Sequence, residues 1–532
     1  MLSIQSSLAL GGLLAIIVWF FSFVTKFRNQ RAFYKNVPCP PHDYWWGHLK
    51  LMGECMRELP PGLHPQQLMS YVGQKYGMPG VFYLDLWPIS YPMMMVHDPG
   101  VANQITVSNN LPKHPVNTRF LSPLVGDQSI VLVEGSAWKR IRSIILPGFA
   151  PQYLGTLQPV VNKHVLRFRE SMTNFATTSA VFLLEDALIL LAIDVITEVV
   201  LGVDLRSQQK GDLHAGDLAY HFRKANSWTG AGFDLLGRIY SYIPKRYHVR
   251  WQDRLIVQMM KSREAEATTS ERGRAAIDLF LQAYRLEESE NANAATRKVA
   301  MSDPAFMDLA LSNIKSLLLG GHDTTATTIC YTIALLSQNP KCLAAMRMEH
   351  DTFFGLETTR ALDLLANDTS LLNHLPYTTA CIKEAMRIFS PASTTRIAGP
   401  GSIQNVTFEG RELPIRGQQA WVAHYGIGQR PDLWPEPHRF IPERHLPNPP
   451  HQVVKDAWRG FEKGPRACLG MELAMNEMKT CLVCVMRDFD FEVAYPENAP
   501  KAPDGFGGHM FQVVEMAAKP VSHMPMKVKK RG

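Results

Sequence analysis

A short segment near the carboxyl end carries the residues best suited to chemistry. Residues 461–470, FEKGPRACLG, contain the pattern F-x-x-G-x-R-x-C-x-G, formed by Phe461, Gly464, Arg466, Cys468 and Gly470. A metal-binding thiolate needs shielding from water together with hydrogen-bond donors and positive potential. Glycines let backbone N–H groups approach a sulfur, and a helix beginning at about Cys468 points its positive end there. We predict a metal-binding thiolate; the alternative is a buried structural cysteine.

A second pattern lies in LLLGGHDTTATT, residues 317–328. Two glycines in the middle of a helix cost about 1 kcal/mol each relative to alanine, so a compensating role is expected for them. Asp323 and Thr324 follow after His322 and place an acid beside an alcohol. The alternative is a kinked core helix whose threonines bond back to the backbone.

Several charged pairs have helical spacing. Glu384 and Arg387 form an E-x-x-R suited to an ion pair on one helix face. The same spacing recurs in pairs that are most simply solvated: Glu54 with Arg57, Glu271 with Arg274, and Glu357 with Arg360.

Trp138 and Arg142 form a W-x-x-x-R, which also places both residues on one face of a helix. Cys481 and Cys484 form a C-x-x-C, but their apolar helical context favours buried core thiols over a redox pair.

The elements that must position these residues are predicted to be mostly helices. Apolar residues recur at threes and fours over the stretches 158–203, 304–338 and 468–488. Short strand patterns occur at 81–87 and 512–517. Residues 261–300 are rich in Ala, Glu, Arg and Ser, which predicts solvated helix and loop. The architecture is therefore expected to be mainly α with minor sheet.

The amino terminus predicts a membrane anchor. Residues 8–24 carry no charge and nearly reach the length that a bilayer-spanning helix needs. Lys26, Arg28 and Arg31 follow the apolar run, which favours a retained anchor over a cleaved signal and keeps the remaining chain on the cytoplasmic side. We expect an anchor at 1–25, a basic and proline-rich stiff connector at 26–49, and one catalytic domain at 50–532.

Composition is that of a folded globular protein with 46% hydrophobic and 19% charged residues over 532 positions. A net charge of +7 is modest for this length, and no stripe of basic and aromatic residues predicts nucleic-acid binding. The eight cysteines show no paired spacing of a secreted framework, which favours reduced thiols in a cytosolic setting.

Taken together, these motifs resemble those of the cytochrome P450 family of haem-thiolate monooxygenases, in the expected order over the whole chain. The resemblance implies the cytochrome P450 fold, with a long central helix over the haem, minor β-sheets and, here, an amino-terminal transmembrane helix. It implies haem b, whose iron takes Cys468 as axial ligand; a thiolate ligand pushes electron density toward O–O cleavage.

The resemblance also implies roles for the other motifs. The glycines of residues 317–328 would leave room for dioxygen on the haem face opposite the cysteine, and Asp323 and Thr324 would relay protons as catalytic acid and alcohol. Phe461 and Gly464 would belong to the cofactor-binding loop. The positive charge required by the two haem carboxylates would come from Arg142, Arg396 and Arg466, and Trp138 would be a further cofactor contact on the helix of Arg142.

A structural cluster is implied as well. In the family, the arginine of RFIPER, residues 439–444, joins the E-x-x-R pair, so Arg444 would close a buried network with Glu384 and Arg387. His445 stands where the family often has an aromatic residue, which puts local packing in question.

Electrons must come from outside the chain. GAGFDL at residues 230–235 breaks the G-x-G-x-x-G pattern, and no length remains for a flavin module. The resemblance implies NADPH–cytochrome P450 reductase of the endoplasmic reticulum as partner. Four cations near the cysteine-side motifs could form its docking face or could simply be solvated charge: Lys139, Arg140, Lys463 and Lys479.

The chain is most similar to fungal members that act in secondary metabolism, such as polyketide pathways. We expect insertion of one oxygen atom from O2 into a hydrophobic small molecule, by hydroxylation or epoxidation. Family comparison places the pocket walls at 115–130, 316–320, 393–395 and 506–511. The alternatives are a fatty-acid or xenobiotic hydroxylase, a reductase-independent isomerase or dehydratase, and a non-catalytic haem sensor.

Overall fold

The computed structural model describes residues 4–210, 217–230, 235–267, 275–291 and 302–531. The predicted Glu271–Arg274 pair and much of the predicted solvated stretch 261–300 lie outside these residues. Helices dominate the described part of the chain: α1 Ile4–Phe33, α2 Leu49–Glu58, α3 Pro65–Lys75, α4 Pro99–Asn103, α5 Pro115–Val125, α6 Gly135–Ile145, α7 Pro151–Thr156, α8 Gln158–Thr178, α9 Leu184–Leu201, α10 Leu218–Gly230, α11 Leu235–Ala267, α12 Ala276–Asn291, α13 Pro304–Gln338, α14 Pro340–Phe354, α15 Thr358–Asn367, α16 Pro376–Ile388, α17 His424–Gly428 and α18 Met471–Asp488.

The strands are short: β1 Val81–Leu84, β2 Met93–Val96, β3 Phe182–Leu183, β4 Thr394–Arg396, β5 Asn405–Phe408, β6 Arg411–Pro414, β7 Gln419–Val422, β8 Phe489–Val493, β9 Gln512–Glu515, β10 Ala517–Pro520 and β11 Pro525–Lys530. They form a sheet in the order β1-β2-β7-β4, a sheet in the order β3-β11-β8, and the hairpins β5-β6 and β9-β10. Only the β2–β7 pair is parallel among these.

The central helix α13 spans the range predicted for it, residues 304–338. Asp303 caps its first turn by accepting the Ala305 N–H at 2.8 Å, and Pro304 occupies the first helical position, where its missing N–H costs nothing. At about 1.5 Å per residue, the helix is roughly 50 Å long. It packs against α9, α16 and α18 in the main hydrophobic core.

Two sequence predictions differ from the structure in detail. The stretch 158–203 contains two helices, because Ser179 adopts a left-handed conformation (φ 52°) that ends α8 before β3 begins. The stretch 512–517 is a hairpin, because Met516 turns the chain at φ 80° between β9 and β10. In each case one residue with a positive φ interrupts an apolar run. The spacing of apolar residues does not reveal such a residue.

Helix α1 is joined to the folded body at its carboxyl end. Residues Gly11–Phe33 are long and apolar enough to cross a membrane, judged by length and composition alone. The most apolar part of this stretch is not buried against the rest of the protein. The helix continues past the predicted anchor, so that Arg31 becomes buried and pairs with the fully buried Asp85 beside β1. His42 contacts the same carboxylate at 2.9 Å.

Candidate active site

The loop that carries Cys468 is folded tightly. Gly464 has φ +88°, and a Cβ atom there would lie 2.4 Å from the carbonyl oxygen of Thr106, so only glycine fits. The Cys468 N–H donates to the Phe461 carbonyl at 2.9 Å and closes the loop. Phe461 packs edge-on against Trp458, with ring centroids 6.1 Å apart. The loop is therefore fixed on the amino-terminal side of the cysteine.

The Cys468 side chain opens onto a cleft. It is the one cysteine of the described residues classed as exposed, yet protein atoms surround it on most sides. Burial raises the pKa of its thiol, while the Gly470 N–H bonded to the sulfur and the Arg142 guanidinium oppose that rise. Helix α18 begins at Met471, three residues later than predicted, and Gly470 has an ordinary negative φ. The sulfur thus accepts one backbone N–H, that of Gly470, directly before a helix start.

Helix α6 brings an aromatic ring and a second cation to this loop. The Arg466 guanidinium lies 4.4 Å from the Trp138 ring centroid, and that of Arg142 lies 5.6 Å from it. Arg466 also donates to the Val133 carbonyl at 2.7 Å and pairs with Glu134. The three predicted residues Trp138, Arg142 and Arg466 are therefore brought together beside Cys468.

Arg396 reaches the same region from β4. Its side chain is buried, and its Nη1 donates to the Leu111 carbonyl at 2.8 Å. Lys113 forms a β-bridge with Arg396. Burial, and then the charges of Arg396 and Arg466, lower the pKa of Lys113 to about 7. Lys113 was not predicted, since a lone lysine in LPKHP has no recognisable pattern.

This cluster of cations fits a group that carries two carboxylates. The Nε atoms of Arg396 and Arg466 are buried without a hydrogen-bond partner among the described residues. Removing polar groups from water without a partner costs about 1–3 kcal/mol each, so these atoms point to an acidic ligand. Together with a thiol open to the cleft, the donor set fits haem: Cys468 would ligate the iron, and the cations would hold the carboxylates.

The predicted acid and alcohol lie on different sides of α13. Asp323 is buried, and its carboxylate faces β10, where Oδ2 accepts the Ala517 N–H and Oδ1 meets the Lys519 ammonium, both at 2.8 Å. Thr324 is partly accessible, and its hydroxyl donates to the Gly320 carbonyl at 2.8 Å. The back-bonded threonine that was the alternative interpretation is therefore observed, and the carboxylate is turned away from it.

The two glycines of α13 have different structural roles. A Cβ on Gly321 would lie 2.5 Å from Cγ1 of Ile196, so its absence lets α9 pack closely on α13. A Cβ on Gly320 would meet nothing within 4 Å. Gly320 and Thr324 are one helical turn apart and share the accessible face of α13. This face provides open space beside the helix.

The Glu384 cluster is present and larger than predicted. Arg387 holds the carboxylate through two bonds of 2.8 Å, and Arg444 lies 3.3 Å from Oε1. His445 adds a contact of 3.0 Å to Oε2. The residue that departs from the family pattern is therefore a polar member of the network. The cluster ties α16 to the segment that leads into the Cys468 loop.

Two predicted surfaces are only partly formed. Lys479 is buried and donates to the Leu372 carbonyl at 3.0 Å, so it is not part of a cationic face, whereas Lys139 is exposed. Phe506 and Phe511, predicted as pocket wall, lie in a separate apolar cluster with Tyr425. The walls at 115–130 and 393–395 do meet, through Asn117 and Thr395.

Known proteins match this chain over most of its length. A family model described as Cytochrome P450 matches residues 38–515. Cytochrome P450 monooxygenase acrF of Aspergillus aculeatus is 32% identical, with 88% of this chain and 98% of that one covered. Cytochrome P450 monooxygenase polC of Polytolypa hystricis is 30% identical, covering 90% and 86%. The crystal structure of a cytochrome P450DA heme domain superposes with TM-score 0.70 at 18% identity, covering 93% and 98%.

The chain therefore belongs to the cytochrome P450 family. The predicted fold class and the predicted enzyme class, a cytochrome P450 monooxygenase, are confirmed. Membership implies haem bound through a cysteine thiolate, a redox partner and a lipophilic substrate. The apolar helix α1 is consistent with membrane anchoring.

Proposed function

We propose that this monooxygenase is held in the endoplasmic reticulum membrane by α1, faces the cytoplasm, and receives electrons from NADPH through NADPH–cytochrome P450 reductase. It inserts one oxygen atom from O2 into a lipophilic metabolite of a fungal secondary pathway, such as a polyketide, by hydroxylation or epoxidation. Haem b is bound by the Cys468 thiolate.

One observation carries the site assignment. A cysteine open to a cleft lies beside a cation cluster in which the Nε atoms of Arg396 and Arg466 are buried without a partner among the described residues. The Trp138 ring centroid lies 5.6 Å and 4.4 Å from two guanidinium groups of this cluster, those of Arg142 and Arg466. A buried carboxylate needs such compensation, because an unpaired buried charge is strongly unfavourable. Haem supplies oxygen activation when it is bound. The chain contributes Cys468 as ligand and Arg396, Arg466, Arg142 and Lys113 as carboxylate partners.

The remaining residues orient the substrate and handle protons. Gly320 leaves space on the accessible face of α13, where the Thr324 hydroxyl can rotate from the Gly320 carbonyl toward the cleft. Asp323 is the acidic residue next to Thr324 in the sequence. It can supply a proton to the cleft only after its contacts with Ala517 and Lys519 of β10 change. The fungal origin of relatives that match nearly the whole chain supports a fungal metabolite as substrate.

Comparing the metabolites of a fungal host that has the intact gene with those of a host lacking it tests the substrate class. We expect the deletion to accumulate a lipophilic compound one oxygen short of the missing product. Turnover of that compound should require both NADPH and the reductase. Product formed without either would instead support the isomerase or dehydratase alternative.

Replacing Arg396 by glutamine should weaken haem retention. A hydrogen bond to a charged group contributes about 1.5–3 kcal/mol, so we expect haem to be lost about tenfold or more readily. Transfer of haem to apomyoglobin measures this change. The control is Arg416→Gln, which changes an exposed arginine farther along the chain than Arg396. This variant should not alter the transfer of haem to apomyoglobin. Equal transfer from both variants would remove Arg396 from the haem site.

A charge in the middle of α1 should release the protein from membranes. Val18 is 61% exposed on that helix, and a lysine at the centre of a membrane span costs about 3 kcal/mol. We expect Val18→Lys to shift the chain into the carbonate-soluble fraction. Val454→Lys, at an exposed valine of the body, should stay in the membrane fraction.

Protease added outside intact microsomes should digest the wild-type catalytic domain; protection would contradict the cytoplasmic orientation.

A further inference from the structure

A chain of buried charges runs from α13 to the protein surface. Lys519 lies between two carboxylates, with its Nζ 2.8 Å from Asp323 Oδ1 and 2.8 Å from Glu185 Oε1. The other oxygen of Glu185 contacts Nδ1 of His523 at 3.0 Å. Asp323, Lys519 and Glu185 are each at most 2% exposed, whereas His523 is 22% exposed. The four side chains thus connect the acid of the site to solvent.

The hairpin β9-β10 supplies the centre of this chain. Its Ala517 N–H binds Asp323 and its Ala518 N–H binds the Pro391 carbonyl at 3.0 Å. Pro391 lies two residues before the segment 393–395 predicted to line the pocket. The hairpin therefore bridges α13 and that segment, and the charge on Asp323 helps to hold it there.

We propose that Lys519 is a positioning residue. Shared between Asp323 and Glu185, it holds the Asp323 carboxylate against β10, and its transfer to Glu185 alone, favoured when His523 is neutral, frees Asp323 to serve the cleft. This role rests on the proposed function of Asp323 as the acid of the site. The charge chain itself can be tested without catalysis.

The charges around His523 determine whether a rise in pH strengthens or weakens the contact between Lys519 and Asp323. Those facing it come from four elements: Glu185 and Asp186 of α9, Glu515 of β9, Lys519 of β10 and Arg223 of α10. Burial lowers the pKa of His523, but Glu185 outweighs this and raises it above its ordinary value. A protonated His523 neutralises Glu185 and leaves the ammonium with Asp323. As pH rises through the folded-state pKa, this hold on Asp323 and its contribution to stability are lost.

Three variants and a control test the proposal in the full-length protein. In Lys519→Met, amide exchange of Ala517 should accelerate about tenfold, because an Asp323 carboxylate no longer held by Lys519 can turn away from the Ala517 N–H. With the reductase, the fraction of consumed NADPH recovered as hydrogen peroxide should fall about threefold, since an Asp323 freed from Lys519 supplies protons to the cleft more readily. Lys519→Arg should restore both readings, because a guanidinium can hold both carboxylates. Lys501→Met, at a 58% exposed lysine, should change neither.

His523→Gln tests the pH dependence separately. The wild type should lose melting temperature and peroxide yield as pH rises from about 6 to about 8.5, and this variant should show neither change. Unchanged amide exchange in Lys519→Met, or an unchanged pH dependence in His523→Gln, would overturn the proposal. If Lys519→Met does not fold, Lys519→Arg and His523→Gln decide. If no NADPH-dependent oxidation is found at all, the proposed function fails, while amide exchange and melting still test the charge chain.

Discussion

Cys468→Ser should eliminate haem-thiolate character and turnover together. Serine retains the size and loop geometry but offers a hydroxyl whose pKa is far above that of a thiol, so it cannot provide the soft anionic ligand. We expect monooxygenase activity to fall by about 10³-fold or more, equivalent to about 4 kcal/mol in activation free energy. The long-wavelength absorption band that a thiolate gives to the reduced, CO-bound haem should disappear.

A second cysteine provides the matched control. Cys39 is partly buried, and its sulfur contacts the Tyr34 carbonyl at 3.4 Å, so serine can keep that contact. Cys39→Ser should leave the absorption band and turnover unchanged. A Cys468→Ser protein with the wild-type spectrum and full activity would contradict the assignment of the ligand.

Glu384→Gln should cause the largest loss of stability. The carboxylate is fully buried and is contacted by Arg387, Arg444 and His445. Removing one partner of a buried ionic cluster leaves the cations uncompensated, which costs about 3–5 kcal/mol. We expect a large drop in melting temperature and weaker haem retention, because the cluster fixes the segment before the Cys468 loop. Thermal unfolding and haem content measure the two effects.

The pH dependence of the same variant gives an independent check. Burial alone would raise the pKa of Glu384, but Arg387 and His445 outweigh it and lower the pKa to about 2. Its stabilising contribution is therefore complete above the unfolded value of about 4.3 and is lost as pH falls toward about 2. Wild type and Glu384→Gln should converge in stability over that acidic range.

Glu436 and Arg439 offer a matched pair at the surface. They have the same i, i+3 spacing, but their side chains are 51% and 68% exposed. Exposed pairs contribute little, so Glu436→Gln should leave the melting temperature and haem content nearly unchanged. Equal effects of Glu384→Gln and Glu436→Gln would show that the buried cluster has no special structural role.

Local patterns predicted the parts of the molecule that depend on short-range chemistry. The apolar run of α13, the C-terminal cysteine loop with its turn at Gly464 and the Glu384–Arg387 pair were each present in the sequence with recognisable spacing. In each case a few adjacent residues define the geometry, either through hydrogen bonds along a helix or through a turn that only glycine allows.

Other features depended on contacts between distant segments. Lys113 became a site residue because β4 approaches it, and Lys479 left the predicted cationic face because it is buried against the segment before α16. His445 joined the Glu384 cluster although its position suggested packing alone. The energies of these contacts depend on burial and on partners from other elements, which a linear pattern does not contain.

The sequence by itself predicted which residues would hold and use a haem, because Trp138, Asp323 and Cys468 each belong to a short motif with recognisable spacing. Only the tertiary structure decided where the Asp323 carboxylate points. Its partners, Ala517 and Lys519, lie almost 200 positions away, on a hairpin that the sequence predicted as one strand. A buried charge takes its orientation from the nearest opposite charge, and folding alone brings that charge within 3 Å.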